Sequence, residues 1–269
     1  MRYRKGSIAI SEAFDIPLLL LIRNAGYITH RQLISLSGYD RSPSAYSNFL
    51  WRIRRLLAGG FVSLLARRIE GQKVYSITHT GLLELESFGH SLASLNPQTQ
   101  VICHPSKMMH CLELNAVRLS MVRYGIAELW LSDVEVCAEN LMTDDQYVKD
   151  YDAVAVLKVG EQSLTCAIEY ERSNKSSARY LEIRQALSQD QMVDAILYVV
   201  RDAKGLLAIA RHLSGAHPRI LFVTAPAIRH MGPEAYAVRT LSFGGPLSAL
   251  LAQLAQESST HSGIRVNAS

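Results

Sequence analysis

The chain has 269 residues, 48% hydrophobic and 19% charged, with a net charge of +4. That length suits one large domain or two modest ones, and the balance is that of an ordinary globular protein. No apolar run approaches the ~20 residues of a membrane span, and the cysteines Cys103, Cys111, Cys137 and Cys166 show no CxxC spacing, which excludes a zinc ribbon or a disulfide framework.

The first residues, Met1 to Gly6, are basic but lack the apolar core of a signal peptide, so a cytoplasmic protein that does not enter membranes is expected. The positive charge sits at the front: residues 1–90 hold twelve Lys and Arg against six Asp and Glu, whereas the rest of the chain is slightly acidic. A basic front half points to a polyanion as its partner.

In chain order, Asp15 to Ala25 reads as a mostly buried helix stopped by Gly26. Thr29 is placed to cap a second helix, His30 to Ser37. Ser42-Pro43 starts a third, running to about Leu57, with Phe49, Leu50, Ile53, Leu56 and Leu57 as its apolar stripe. Ser44, Ser47, Asn48, Arg52 and Arg55 lie off that stripe, and Trp51 is expected to pack on the hairpin that follows. Two strands, Phe61 to Ala66 and Lys73 to Ile77, flank a basic turn carrying Arg67 and Arg68, and a further helix covers Gly81 to Ser87.

Asn96-Pro97 and Pro105 place a linker at 91–105. A helix from Lys107 to Tyr124 follows, with His110 and Glu113 three apart on one side. Ala127 to Ala138 reads as strand and Glu139 to Asp150 as loop. Tyr151 to Arg172 reads as two β segments around Gly160-Glu161, a two-residue hairpin loop. Pairing Val159 with Gln162 sets Asp152 opposite Glu169, and alternation brings Glu171 to the same face. Three carboxylates so close repel one another, and hard divalent Mg²⁺ or Mn²⁺ is the leading reason to keep them together. The competing reading pairs them with Arg172, Arg179 or Arg184. Beyond the hairpin come a helix to Leu187, a buried strand Ala195 to Val200, a helix Gly205 to Leu213, a buried strand Ile220 to Thr224, a helix Pro246 to Gln256, and a polar tail.

Three helices and a basic-tipped hairpin, with Gly26-Tyr27-Ile28-Thr29, Gly59-Gly60-Phe61-Val62 and Tyr75-Ser76-Ile77-Thr78-His79-Thr80-Gly81, resemble the winged helix-turn-helix domains that bind double-stranded DNA. The resemblance implies groove contacts from Ser44, Ser47, Asn48, Arg52 and Arg55, and phosphate contacts from Arg67, Arg68 and Lys73. The order helix, three strands, helix, strand, helix, strand resembles the restriction-endonuclease-like (PD-(D/E)XK) fold, an α/β mixed sheet flanked by helices. It implies a divalent metal at Asp152, Glu169 and Glu171. The family's lysine two residues after the third-strand acid is replaced here by Glu171, with Lys175, Arg179 and Arg184 as basic substitutes on the next helix.

Three segments, His110-Cys111-Leu112-Glu113-Leu114-Asn115, Tyr151-Asp152-Ala153-Val154 and Ile168-Glu169-Tyr170-Glu171-Arg172-Ser173, are similar to the replication-relaxation family and to MobC-type plasmid mobilisation relaxases. The domains expected are 1–90 (winged helix), 106–257 (nuclease-like) and a flexible tail, 258–269. The expected function is metal-dependent DNA nicking in mobilisation or replication, with catalytic residues Asp152, Glu169, Glu171, His110 and Glu113. The alternative is a winged-helix regulator with an inactive nuclease-like domain. Duplex DNA, other mobilisation or replication proteins and a second copy of the chain are the partners expected. P-loop, GxSxG and HExxH motifs are absent.

Overall fold

The computed structural model describes residues 8–65, 69–95, 105–144, 146–217 and 219–265; of residues 258–265 the backbone alone is described. The chain divides into two compact units, Met1–Leu119 and Ser120–Ser269.

In the front unit, helices α1 (Asp15–Ala25), α2 (His30–Leu36) and α3 (Pro43–Ala58) precede β2 (Val62–Leu64), β3 (Val74–Ile77) and α4 (His79–Ser87), with the two-residue β1 (Ile28–Thr29) between α1 and α2. The strands form an antiparallel sheet in the order β1-β3-β2. The helix starts follow local chemistry. Thr29 and Gln32 form a capping box on α2. The Ser42 hydroxyl accepts from Ala45 N at 3.1 Å, and Pro43 takes the first helical position of α3. Phe49, Ile53 and Leu56, spaced four and three, turn one face of α3 onto Leu19, Ile22, Leu33 and Tyr75. Gly81 of α4 lies so close to the sheet that a Cβ there would meet Phe61 O at 2.3 Å.

Helix α5 (Pro105–Arg123) belongs to the front unit as far as Leu119, so the division falls inside this helix and not at the linker expected over 91–105. Residues 96–104 of that linker lie outside the described residues. The reason is buried hydrogen bonding. Gln32 Nε2 donates to Leu112 O at 2.7 Å, and Asn115 Nδ2 donates to Tyr27 O at 2.9 Å and Ala25 O at 3.2 Å. Met108, Cys111 and Leu112 close over Tyr27 and Val74.

The back unit is α/β. Its seven-stranded sheet runs β10-β9-β8-β7-β6-β5-β4. Strands β4 (Ala127–Ser132), β5 (Ala153–Val159) and β6 (Gln162–Glu171) form an antiparallel meander. Helix α7 (Ser177–Leu187) crosses to the parallel strand β7 (Ala195–Val200), and α8 (Ala203–Leu213) to the parallel β8 (Ile220–Thr224). After α9 (Ala225–Met231), an antiparallel pair, β9 (Tyr236–Thr240) and β10 (Phe243–Pro246), completes the edge. One face, with Val154, Ala167, Ile196 and Phe222, packs under Tyr180, Ile183 and Leu187 of α7 and Ile209 and Leu213 of α8. Helix α10 (Leu247–Arg265) adjoins β5, β6, β9 and β10.

Three segments differ from the sequence reading. Residues 133–142 form a helix, α6 (Asp133–Met142), where strand and loop were expected, because Ser132 and Glu135 make a capping box: Glu135 Oε2 accepts from Ser132 N at 2.8 Å. The elements between Ala225 and Pro246 were not anticipated. The backbone of α10 continues through Arg265, where a tail from residue 258 was expected. Among the described residues no helix is long and apolar enough to cross a membrane.

Candidate functional site

The β5–β6 hairpin of the back unit has the expected register. Val159 pairs with Gln162, and the ladder continues to Ala153 opposite Ile168. Gly160 makes the turn possible, at φ +62°, a region L side chains rarely adopt. One step past the ladder, Asp152 stands across from Glu169, and Asp152 Oδ2 accepts from Tyr170 N at 2.7 Å. In the parallel direction Glu169 pairs with Tyr198 and Glu171 with Val200. The two glutamates therefore project from the C-terminal end of β6, where the sheet changes from antiparallel to parallel. In α/β sheets ligands collect at the C-terminal ends of parallel strands.

Both glutamates are buried, each 8% exposed. Their counter-charges are lysines. Lys149, in the segment before β5, sets Nζ 2.8 Å from Glu169 Oε1. Lys175, four residues after Glu171, pairs with Glu171 Oε2. Burial raises the Glu169 carboxyl above the usual range, and Asp152 adds to the rise, while Lys149 and Lys175 oppose it. Burial likewise lowers the Lys175 ammonium, against the pull of Glu169 and Asp152. The Tyr198 hydroxyl is buried beside this group without a hydrogen-bond partner. Its pKa is pushed up by burial first, then by Glu169 and Asp152.

Sequence reading expected arginines as the alternative counter-charges. Arg179 instead pairs with Glu182 at 2.6 Å, and Arg184 donates to His212 O and Ser214 O at 3.3 Å. Lys149 was missed; its signal was an ammonium three residues before Asp152, ahead of the strand that carries the acids into the sheet. His110 and Glu113 were expected to complete the site. Both lie on α5, in the part that belongs to the front unit. Tyr151 is committed elsewhere, since its hydroxyl donates to the buried Asp190.

Carboxylates are suitable donors for Mg²⁺ or Mn²⁺. The arrangement is not: among the described residues no group of three or more His, Cys, Asp or Glu is disposed to hold a metal ion. Asp152 is spent on Tyr170 N, Glu169 on Lys149 and Glu171 on Lys175. As folded, the expected metal centre is a carboxylate–ammonium network.

The front unit offers a second candidate face, on α3. Ser44, Ser47 and Asn48 are exposed, as expected. Arg52 and Arg55 are not free to reach a ligand in the way the sequence reading had them. Arg52 Nη1 lies 2.9 Å and Arg55 Nη1 3.7 Å from Asp15, and Arg55 Nη2 donates to Ala9 O at 2.6 Å. The exposed cation of α3 is Arg54, two residues after Arg52 and one before Arg55. Together with Trp51, 47% exposed, it extends the Ser44–Asn48 face by further helical turns. Arg55 lies over the Trp51 ring, 4.4 Å from its centroid, so this indole stacks under its own helix's guanidinium. Lys73 is exposed at the start of β3, and its carbonyl accepts from His30 N at 2.9 Å. Arg67 and Arg68 lie outside the described residues.

Comparison with known proteins gives no family model matching this chain, no matching curated protein and no matching solved structure.

Proposed function

We propose that the protein binds double-stranded DNA through its front unit and processes it at the carboxylate–lysine cluster, as a relaxase- or endonuclease-like protein of a plasmid or mobile element. The front unit reads as a winged helix-turn-helix, with α3 as the groove helix and β2 and β3 as the wing. What supports this is the exposed row Ser44, Ser47, Asn48 and Arg54, with Lys73 adding a cation for phosphate.

One observation carries the second half. Lys175 brings to Glu171, and within electrostatic reach of Glu169 and Asp152, the ammonium that the strand itself lacks. The order β4, β5, β6, α7, β7, an antiparallel meander joined by a helix to a parallel strand, is the arrangement the PD-(D/E)XK reading requires. An ammonium beside acids on adjoining strands has a role in phosphoryl chemistry, where it offsets negative charge on a phosphodiester. The reading calls for Mg²⁺ or Mn²⁺ at Asp152, Glu169 and Glu171, and the lysines on two of these carboxylates are what such an ion has to displace.

A specific observation favours a second reading. With Glu169 and Glu171 both neutralised by lysines, the back unit also suits a non-cleaving scaffold, and the protein is then a winged-helix regulator of transcription or replication. One assay separates them. Supercoiled DNA is incubated with the protein and Mn²⁺ or Mg²⁺, beside Asp152→Ala, Glu169→Ala and Lys175→Ala. Metal-dependent nicking abolished in all three is the result the nuclease reading expects. Duplex binding without nicking, unchanged across the variants, gives the regulator.

A further inference from the structure

Two large aromatic rings stand open in the front unit, one directly before α1 and one on α3. Phe14 is 52% exposed and Trp51 47%. Each lies against a guanidinium. Arg52 is 4.3 Å from the centroid of the Phe14 ring and 5.6 Å from that of Trp51, and Arg55 is 4.4 Å from that of Trp51. The arginines are themselves anchored: Arg52 pairs with the buried Asp15 at 2.9 Å, and Arg55 donates to Ala9 O at 2.6 Å. Rings that rest on fixed cations are held before a ligand arrives, which lowers the ordering cost of binding.

Exposed apolar side chains scattered singly are ordinary surface. These two are not scattered, since the Arg52 guanidinium lies against both. Their surroundings are positive. Residues 1–90 hold twelve Lys and Arg against six Asp and Glu, Arg54 is exposed on the same helix as Trp51, and Asp15 is buried. Glu12, exposed two residues before Phe14, places any phosphate on the Arg54 side. Flat rings backed by cations fit a chain of flat rings joined by phosphates, because bases stack on aromatic side chains and arginine adds cation–π attraction. An acidic peptide satisfies the charge but offers the ring faces no flat partner.

Trp51 follows Ser44, Ser47 and Asn48 by seven, four and three residues, so it shares their side of α3. A paired base presents its edge to a groove and keeps its face stacked in the duplex. Stacking on Phe14 or Trp51 therefore requires an unpaired base. We propose that Phe14 and Trp51 form a stacking platform for unpaired bases of a DNA strand, beside the face that holds duplex. This rests on the DNA-binding reading above and adds single-stranded DNA to what the front unit takes. Arg52 and Arg55 are positioning residues for the two rings.

The test is fluorescence anisotropy of a labelled oligothymidylate titrated with the full chain, beside a labelled DNA duplex, over a salt series and with a thermal melt of every variant. Trp51→Leu, which keeps apolar bulk and loses the ring, and Phe14→Ala are each expected to bind oligothymidylate roughly tenfold more weakly. Their salt slopes should match the unaltered protein, because stacking releases no counter-ions. Trp51→Phe, which keeps a ring, should recover most of the affinity. In Trp130→Phe, where Trp51 is the remaining indole, oligothymidylate should quench tryptophan emission. Equal oligothymidylate affinity with and without the rings, no quenching, or duplex binding with no single-strand binding overturns the platform and leaves the duplex reading intact. Equal losses for duplex and single strand assign the rings to the duplex face and overturn it too. Failure of the unaltered protein to bind either DNA overturns both this inference and the reading it rests on. If Trp51→Leu has no cooperative melt, Phe14→Ala and the quenching decide.

Discussion

Arg52 Nη1 lies 2.9 Å from Asp15 Oδ1, tying the middle of α3 to the first turn of α1. Asp15 is 1% exposed, and its other oxygen accepts from Ser11 N at 2.9 Å. Removing Arg52 leaves a buried carboxylate with Arg55 at 3.7 Å as its remaining cation. Arg52→Ala is expected to cost about 3 kcal/mol, as breaking a buried pair does. Urea unfolding of the variant checks this; a loss under about 0.5 kcal/mol, the ordinary range for surface substitutions, would show the pair to be idle.

Arg54 and Lys73 carry the opposite expectation. Both are exposed. Arg54→Ala and Lys73→Ala should leave stability unchanged but weaken duplex binding across all sequences. Each should lower the slope of log affinity against log salt by about one unit if it meets a phosphate. Fluorescence anisotropy over a salt series reads this directly. Slopes identical to the unaltered protein would move the DNA face away from α3 and β3.

His30 makes the front unit acid-sensitive. Its ring packs on Phe49, 5.3 Å between centroids, and its Nδ1 is 2.9 Å from the Tyr75 hydroxyl, whose own pKa is pushed up to about 12. Burial lowers the imidazole pKa below the usual 6.5, and Lys73 lowers it further. The unfolded chain therefore binds more protons than the fold between the lowered value and 6.5. Stability is full above 6.5, falls as pH drops through this window, and stays reduced below it. His217, buried in the back unit, shifts the same way. His30→Gln is expected to flatten part of the pH slope of unfolding free energy between about pH 7 and pH 5, leaving the His217 part. An unchanged slope would mean that His30 titrates alike in both states.

Tyr198→Phe removes a hydroxyl that the fold buries without a partner. Without metal, the variant should melt higher, with a gain of about 1 kcal/mol, since the cost of an unmet buried donor disappears. A lower melting temperature would reveal an acceptor for that hydroxyl in the resting protein.

Much of the fold was legible where the signal was local. Thr29, Ser42 and Gly26 marked helix ends through capping and backbone freedom alone. Gly160 set the hairpin and hence the register that aligns Asp152 with Glu169. Local signals were also overlooked, as at Ser132 and Glu135, whose capping box turned an apparent strand into α6. Others were weak: β10 is Phe243-Gly-Gly-Pro246, a sequence with little strand propensity that forms because β9 is there to pair with it. Helix α5 looked like the first helix of the second domain. Side-chain amides donating to backbone carbonyls 80 and 88 residues away, Gln32 to Leu112 O and Asn115 to Tyr27 O, bind it to the front unit instead.

That three carboxylates share one face of a hairpin follows from local rules, because strand alternation and a two-residue turn leave no other parity. The sequence alone likewise marks a basic front half with a capped third helix. Which charges pair is set by the packed fold. Arg52 and Arg55 are drawn to Asp15, Glu169 to Lys149 and Glu171 to Lys175. Pairing of this kind depends on which long side chains reach a buried acid across separate elements, and that is a matter of packing in three dimensions.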